Sequence, residues 1–95
     1  MDLFSLKGKT AIVIGGSKGI GKAVATGFSY AGADVAICSR NQEQLDATAK
    51  EISAKTGGTV VGISADIKSL EGINALVDKV AEKFGHIDIL VNGAG

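Results

Sequence analysis

Four short apolar runs alternate with three longer amphipathic ones along the 95-residue chain, and that alternation leaves few architectures open. TAIVI (Thr10–Ile14), DVAICS (Asp34–Ser39), TVVGIS (Thr59–Ser64) and DILVN (Asp88–Asn92) have strand length and β-branched character. From near Gly19 to Ala31, residues Ile20, Ala23, Val24, Gly27, Phe28 and Ala31 recur at helical spacing and predict one apolar face. Asn41 can cap a second helix with Gln44 as its capping-box partner, and Leu45, Ala49 and Ile52 form its stripe. A third helix starts near Ser69 and aligns Ile73, Leu76, Val77, Val80, Ala81 and Phe84. Gly32, Gly57-Gly58 and Gly85 fall where the helices must stop. Strands alternating with helices predict βαβ units with right-handed crossovers, hence a parallel sheet. The order β-α-β-α-β-α-β is an α/β pattern: one mononucleotide-binding half of a doubly wound sheet plus one strand of the next.

Composition narrows the functions. Residues 1–95 suffice for one domain, and a hydrophobic content of 45% suits a packed core. Ten basic and ten acidic residues cancel, so no nucleic-acid partner is expected. A single cysteine, Cys38, allows no internal disulfide and fits a reducing compartment. No apolar run reaches the ~20 residues that span a bilayer, and MDLFSLKGK does not read as a signal peptide. A cytoplasmic protein with no membrane partner and no metal site is expected.

The junction of the first strand and helix, AIVIGGSKGIGK, carries the chemistry. A helix N-terminus offers N–H groups without intrahelical partners and a positive dipole end, a ready phosphate site. Glycines there let the chain turn tightly and let a pyrophosphate approach without a Cβ in the way. The alternative is a tight turn for helix–strand packing alone. Spacing then selects the motif. G-x-G-x-x-G lacks its middle glycine, since Ser17 and Lys18 occupy those positions. A P-loop reading of Gly16, Gly21 and Lys22 fails at Ala23, which has no hydroxyl for magnesium. Gly15-x-x-x-Gly19-x-Gly21 fits.

That spacing resembles the short-chain dehydrogenase/reductase family, whose signature T-G-x-x-x-G-I-G reads Ile14-Gly15-Gly16-Ser17-Lys18-Gly19-Ile20-Gly21 here. Asp66-Ile67 stands where the family has an acid that contacts adenine, and Asn92-Gly93-Ala94-Gly95 resembles its N-N-A-G segment. Ile14 replaces the usual threonine, and Gly93 the usual second asparagine. The resemblance covers the whole chain and implies a Rossmann-type fold of which this is the first half. It implies cofactor contacts from Gly15, Ser17, Lys18, Gly19, Ile20 and Gly21 at the turn, Asp66 and Ile67 at adenine, and Asn92, Gly93 and Ala94 near the ribose. Asp66 can equally help cap the third helix, and Asn92 can simply hold neighbouring strands together.

The second strand ends at the adenine ribose of such a site. An NAD enzyme of this fold places an acid there for the ribose 2′-OH. Ser39 and Arg40 stand there instead, with Lys18 nearby and Asn41 and Ser17 able to add hydrogen bonds. A 2′-phosphate ~5 Å from an acid, at an effective dielectric near 20, would be disfavoured by on the order of 3 kcal/mol per charge. Cations reverse the sign, so NADP(H) is expected over NAD(H).

Family members transfer a hydride between the nicotinamide and a carbonyl or alcohol, using Tyr-x-x-x-Lys and an upstream serine. The only tyrosine, Tyr30, is followed four residues on by Asp34. No catalytic residue is therefore expected in these 95 residues, which alone should be inactive. A stop at Gly95 inside a cofactor motif reads as a truncated record of a longer enzyme. The substrate is expected to be a sugar acid, an acyl thioester or another small ketone, and the full protein a dimer or tetramer. A non-catalytic dinucleotide-binding module is the alternative. His86 and Cys38 read as surface and inert core respectively.

Overall fold

The computed structural model describes residues 5–15 and 19–93. Seven elements follow in order: β1 (Thr10–Ile14), α1 (Gly19–Tyr30), β2 (Asp34–Ser39), α2 (Gln42–Thr56), β3 (Val60–Ser64), α3 (Leu70–Phe84) and β4 (Ile89–Asn92). The strands form one sheet in the order β3-β2-β1-β4, every pairing parallel. Ile14 lies opposite both Cys38 and Asn92, so β1 and β4 end level and β2 runs one residue further.

Side chains alternate across the sheet, as a period of two requires. Val13, Val35 and Ile37 face α1 and α2 and pack with Ala25, Leu45, Ala49 and Ile52. Ile12, Ile14, Ala36 and Cys38 face the other way and pack with Leu76 and Val80 of α3. Helices on both faces bury the central strands twice over, so TAIVI is buried along its whole length and apolar after Thr10. Each large side chain buried there, Ile12, Ile37, Leu45 or Ile52, contributes about 1.5–3 kcal/mol.

The helix ends follow the sequence cues. Asn41 Oδ1 accepts the Gln44 N–H at 3.0 Å, and Ser69 Oγ accepts the Gly72 N–H at 2.9 Å. The expected capping box is only half made, because the Asn41 N–H donates to Ser39 Oγ at 3.4 Å. After α1, the Gly32 N–H donates to Ser29 O at 3.1 Å and the Ala33 N–H to Phe28 O at 3.1 Å. These two bonds, with Gly32 at φ 103°, make a Schellman ending.

The apolar face expected of α1 is not the one that meets the sheet. Gly21, Ala25 and Ser29 are buried, while Ile20 is 83% exposed and Ala23 and Gly27 face outward. Val24 and Phe28 flank the buried line. The helix lies so near the strands that only small side chains fit beneath it, and small residues give a weak hydrophobic signal. A polar join supports the seam: Ser29 Oγ and Thr56 Oγ1 are hydrogen-bonded at 2.6 Å, linking α1 to the end of α2.

At the opposite end of the sheet from the glycine turn, Asp88 joins β4 to β1. Its Oδ2 accepts the Thr10 N–H at 2.9 Å and lies 2.7 Å from His86 Nδ1, and its own N–H donates to Thr10 O at 2.9 Å. The bond from Thr10, helped by His86 and Lys9, holds the carboxyl below the usual aspartate range.

Two outcomes are expected. A Cβ on Gly62 would lie 2.7 Å from Leu45 Cβ and 3.0 Å from the Leu45 backbone. Gly62→Ala should therefore destabilise the intact protein by about 1–3 kcal/mol in denaturant titration. Asp88 stabilises the fold while ionised, so its contribution is present above its unfolded-state pKa and lost as pH falls through its lower folded-state value. The melting temperature of Asp88→Asn should thus lie below wild type at neutral pH, and the gap should close in acid, below about pH 4.

Candidate nucleotide-binding site

The glycine turn sits where the main chain of three elements converges. Gly15 has φ 83° and its N–H donates to Cys38 O at 2.7 Å, so β1 stays paired to β2 as it leaves the sheet. Gly19 opens α1 at φ 60°, a left-handed backbone that side chains disfavour. A Cβ on Gly19 would meet nothing within 4 Å among the described residues, so packing does not demand glycine there. The first turn of α1 carries no acidic residue, and its positive end stays uncompensated.

β4 closes the other side. The Gly93 N–H donates to Ile14 O at 2.8 Å. A Cβ on Gly93 would stand 3.3 Å from Ile14 O and 3.8 Å from Gly21 Cα. The two departures from the family motif therefore fall at a junction made by main-chain atoms. Ile14 buries its side chain against α3 while its carbonyl takes the bond from Gly93. Asn92 ends β4 opposite Ile14. Ile20 stands exposed on the first turn of α1. Gly16, Ser17, Lys18 and Ala94 lie outside the described residues.

A second group of candidates gathers beyond β2. Ser39 is half-buried, and Arg40 and Asn41 are exposed. No carboxylate among the described residues pairs with Arg40. Asn41 uses Oδ1 for its cap and is exposed, which leaves its amide N–H groups for another acceptor. The loop after β3 runs alongside, tied by the Ala65 N–H to Ser39 O at 3.2 Å. There Asp66 is exposed and its Oδ1 accepts the Lys68 N–H at 3.0 Å. Ser69, not Asp66, caps α3, so the capping role considered for Asp66 belongs to its neighbour. Ile67 packs against the α3-side core.

Several groups are held away from this chemistry. Lys22 Nζ lies 2.6 Å from Glu51 Oε2, a bridge from α1 to α2 that lowers the glutamate's pKa. A P-loop lysine would instead turn toward the phosphates. Cys38 is fully buried, and burial pushes its thiol up. His86 lies at the far end of the sheet beside Asp88. Tyr30 ends α1, also far from the turn, and is 61% exposed. No cluster of three metal-ligating side chains occurs among the described residues, and none of their helices is long and apolar enough to cross a membrane.

One contributor gave no sequence signal. Gln42, the first residue of α2, sends its amide across to β3, where Nε2 donates to Gly62 O at 2.9 Å and Oε1 accepts the Ser64 N–H at 2.9 Å. In the sequence it reads as an ordinary exposed residue after a cap.

Comparison with known proteins agrees with this geometry. The family described as short chain dehydrogenase matches residues 9–95. A Caenorhabditis elegans protein named as a probable 2,4-dienoyl-CoA reductase is 50% identical over 91 residues, covering 95% of this chain and 29% of its own length. A short chain dehydrogenase/reductase of Macrophomina phaseolina, dpmpG, is 39% identical over 90 residues, covering 95% of this chain and 51% of its own. Among solved structures, the Pseudomonas aeruginosa RhlG/NADP complex superposes with a TM-score of 0.90 at 44% identity, covering 99% of this chain and 37% of that one. L-Sorbose reductase from Gluconobacter frateurii, complexed with NADPH and L-sorbose, gives 0.92 at 39% identity, covering 100% of this chain and 36% of that one. The chain thus spans between 29% and 51% of the length of these relatives.

Proposed function

The chain belongs to the short-chain dehydrogenase family, and from that premise we propose that residues 1–95 are the N-terminal cofactor-binding part of an NADP(H)-dependent oxidoreductase. The observation that carries the reading is the bare main chain at Gly15, Gly19, Gly21 and Gly93, gathered at the positive end of α1. A diphosphate can lie there against N–H groups, with no Cβ in its way. Gly19 fits this reading: no described neighbour crowds its Cβ position, and its φ of 60° is itself one that glycine adopts most readily.

The residues beyond β2 and β3 suit the adenosine half. Arg40 pairs with no carboxylate among the described residues, and Asn41 and Ser39 offer polar hydrogen for a 2′-phosphate. Each charge-assisted hydrogen bond there contributes roughly 1.5–3 kcal/mol. Asp66 keeps one carboxylate oxygen outside its loop bond, available to an adenine amino group. Bound in this cradle, NADP(H) would supply or accept a hydride at the carbonyl or alcohol carbon of a small-molecule substrate. The two neighbours complexed with NADP or NADPH support that cofactor. The described residues supply no group for the proton transfer, since Tyr30 faces solvent at the wrong end of α1. That role, the choice of substrate and assembly into a dimer or tetramer fall to parts of the whole protein outside this segment.

Two substitutions in the intact protein test the reading by calorimetry. Arg40→Asp should move the NADPH-to-NADH affinity ratio toward NADH by on the order of 100-fold, combining a lost charge-assisted bond with a new repulsion. An unchanged ratio would remove Arg40 from the site. Gly19→Val should abolish binding of both cofactors, because a branched Cβ would occupy the diphosphate's place. Retained affinity would show that the turn is structural only.

A further inference from the structure

Gln42 does what a fifth strand would do. Just before β3 the Thr59 carbonyl accepts the Val35 N–H, and just after it the Ala65 N–H donates to Ser39 O, so alternate residues present their polar groups to β2 while Gly62 and Ser64 present theirs outward. The Gln42 amide meets both outward groups, donating to Gly62 O and accepting from the Ser64 N–H, each at 2.9 Å. Its second Nε2 hydrogen goes to Asp46 Oδ1 at 2.7 Å, one helical turn on. All three bonds need an amide, with a donor and an acceptor on one planar group. Gly62 makes the reach possible: its missing side chain lets Leu45 and the first turn of α2 lie directly on β3.

Two loops are joined by this contact. Gln42 directly follows Ser39, Arg40 and Asn41, and Ser64 directly precedes Ala65, Asp66 and Ile67. We propose that Gln42 is a positioning residue for the adenosine half of the site, its amide fixing the Arg40–Asn41 loop against the end of β3 for recognition of a 2′-phosphate. This rests on the reading of the site as one for NADP(H). The 2′-phosphate feels the loss most, because its partners adjoin Gln42 directly, whereas adenine is held from the β3 side.

The test uses adenosine fragments, so no turnover is needed. Wild type, Gln42→Ala and Gln42→Glu of the intact protein are titrated calorimetrically with 2′,5′-ADP and 5′-AMP, with thermal melts run alongside. Glutamate keeps the length but turns two donated bonds into repulsions. In both variants 2′,5′-ADP should weaken by about tenfold and 5′-AMP by less than about threefold, the fold remaining cooperative. Equal weakening of both nucleotides, or a lower melting temperature with unchanged affinities, would make Gln42 merely structural and overturn the proposal. If wild type itself binds 2′,5′-ADP no better than 5′-AMP, the NADP(H) reading fails and takes the proposal with it. A wild type that discriminates alongside variants that discriminate equally well refutes the role of Gln42 alone.

Discussion

How closely α1 can approach the ends of β1 and β4 governs everything at the carboxyl edge of this sheet. Gly21 lies on the buried face of α1, its Cα 3.8 Å from where a Cβ on Gly93 would stand, and Gly93 bonds to Ile14 O. A Cβ on Gly93 would crowd Ile14 O, 3.3 Å away, where β1 and β4 meet, while its 3.8 Å approach to Gly21 would be an ordinary contact. The buried row Gly21, Ala25 and Ser29 continues the same requirement along the helix. Under the proposed function, the close packing of α1 on the strands and the bare main chain meant for a diphosphate belong to one junction.

The rest of the site depends on loops that this junction does not hold. The β2 and β3 loops are set by caps and by side chains bonding to main chain. Asn41 starts α2, Ser69 starts α3, and Gln42 spans the gap between α2 and β3. Among the described residues β3 pairs with β2 alone, and exposed main-chain groups at such an edge invite unwanted pairing. The Gln42 amide satisfies two of them.

Much of this was legible in the sequence, for physical reasons. Continuous apolar runs bounded by glycines marked strands covered on both faces, and the observed limits agree to within a residue or so. The cap at Asn41 and the stops at Gly32, Gly57 and Gly85 were signalled by residue types with narrow conformational uses. The rest was hidden for separate reasons. The face of α1 was misplaced because large apolar side chains dominate any periodicity, whereas close packing selects small ones. Capping was considered for Asp66, where Ser69 does the work, because two polar residues three apart compete and the local backbone decides. Gln42 stayed invisible because its partners are main-chain atoms twenty or more residues away, which no side-chain pattern reveals.

The central claim is that a dinucleotide's diphosphate lies on main chain between Gly15 and Gly21 with Gly93 beside it. Backbone amide mapping by NMR during titration of the intact protein with NADP(H) tests it without altering a residue. The account predicts that the largest shifts fall on the amides of Gly15, Gly19, Ile20, Gly21 and Gly93. Saturation that leaves those amides in place while others move would contradict it.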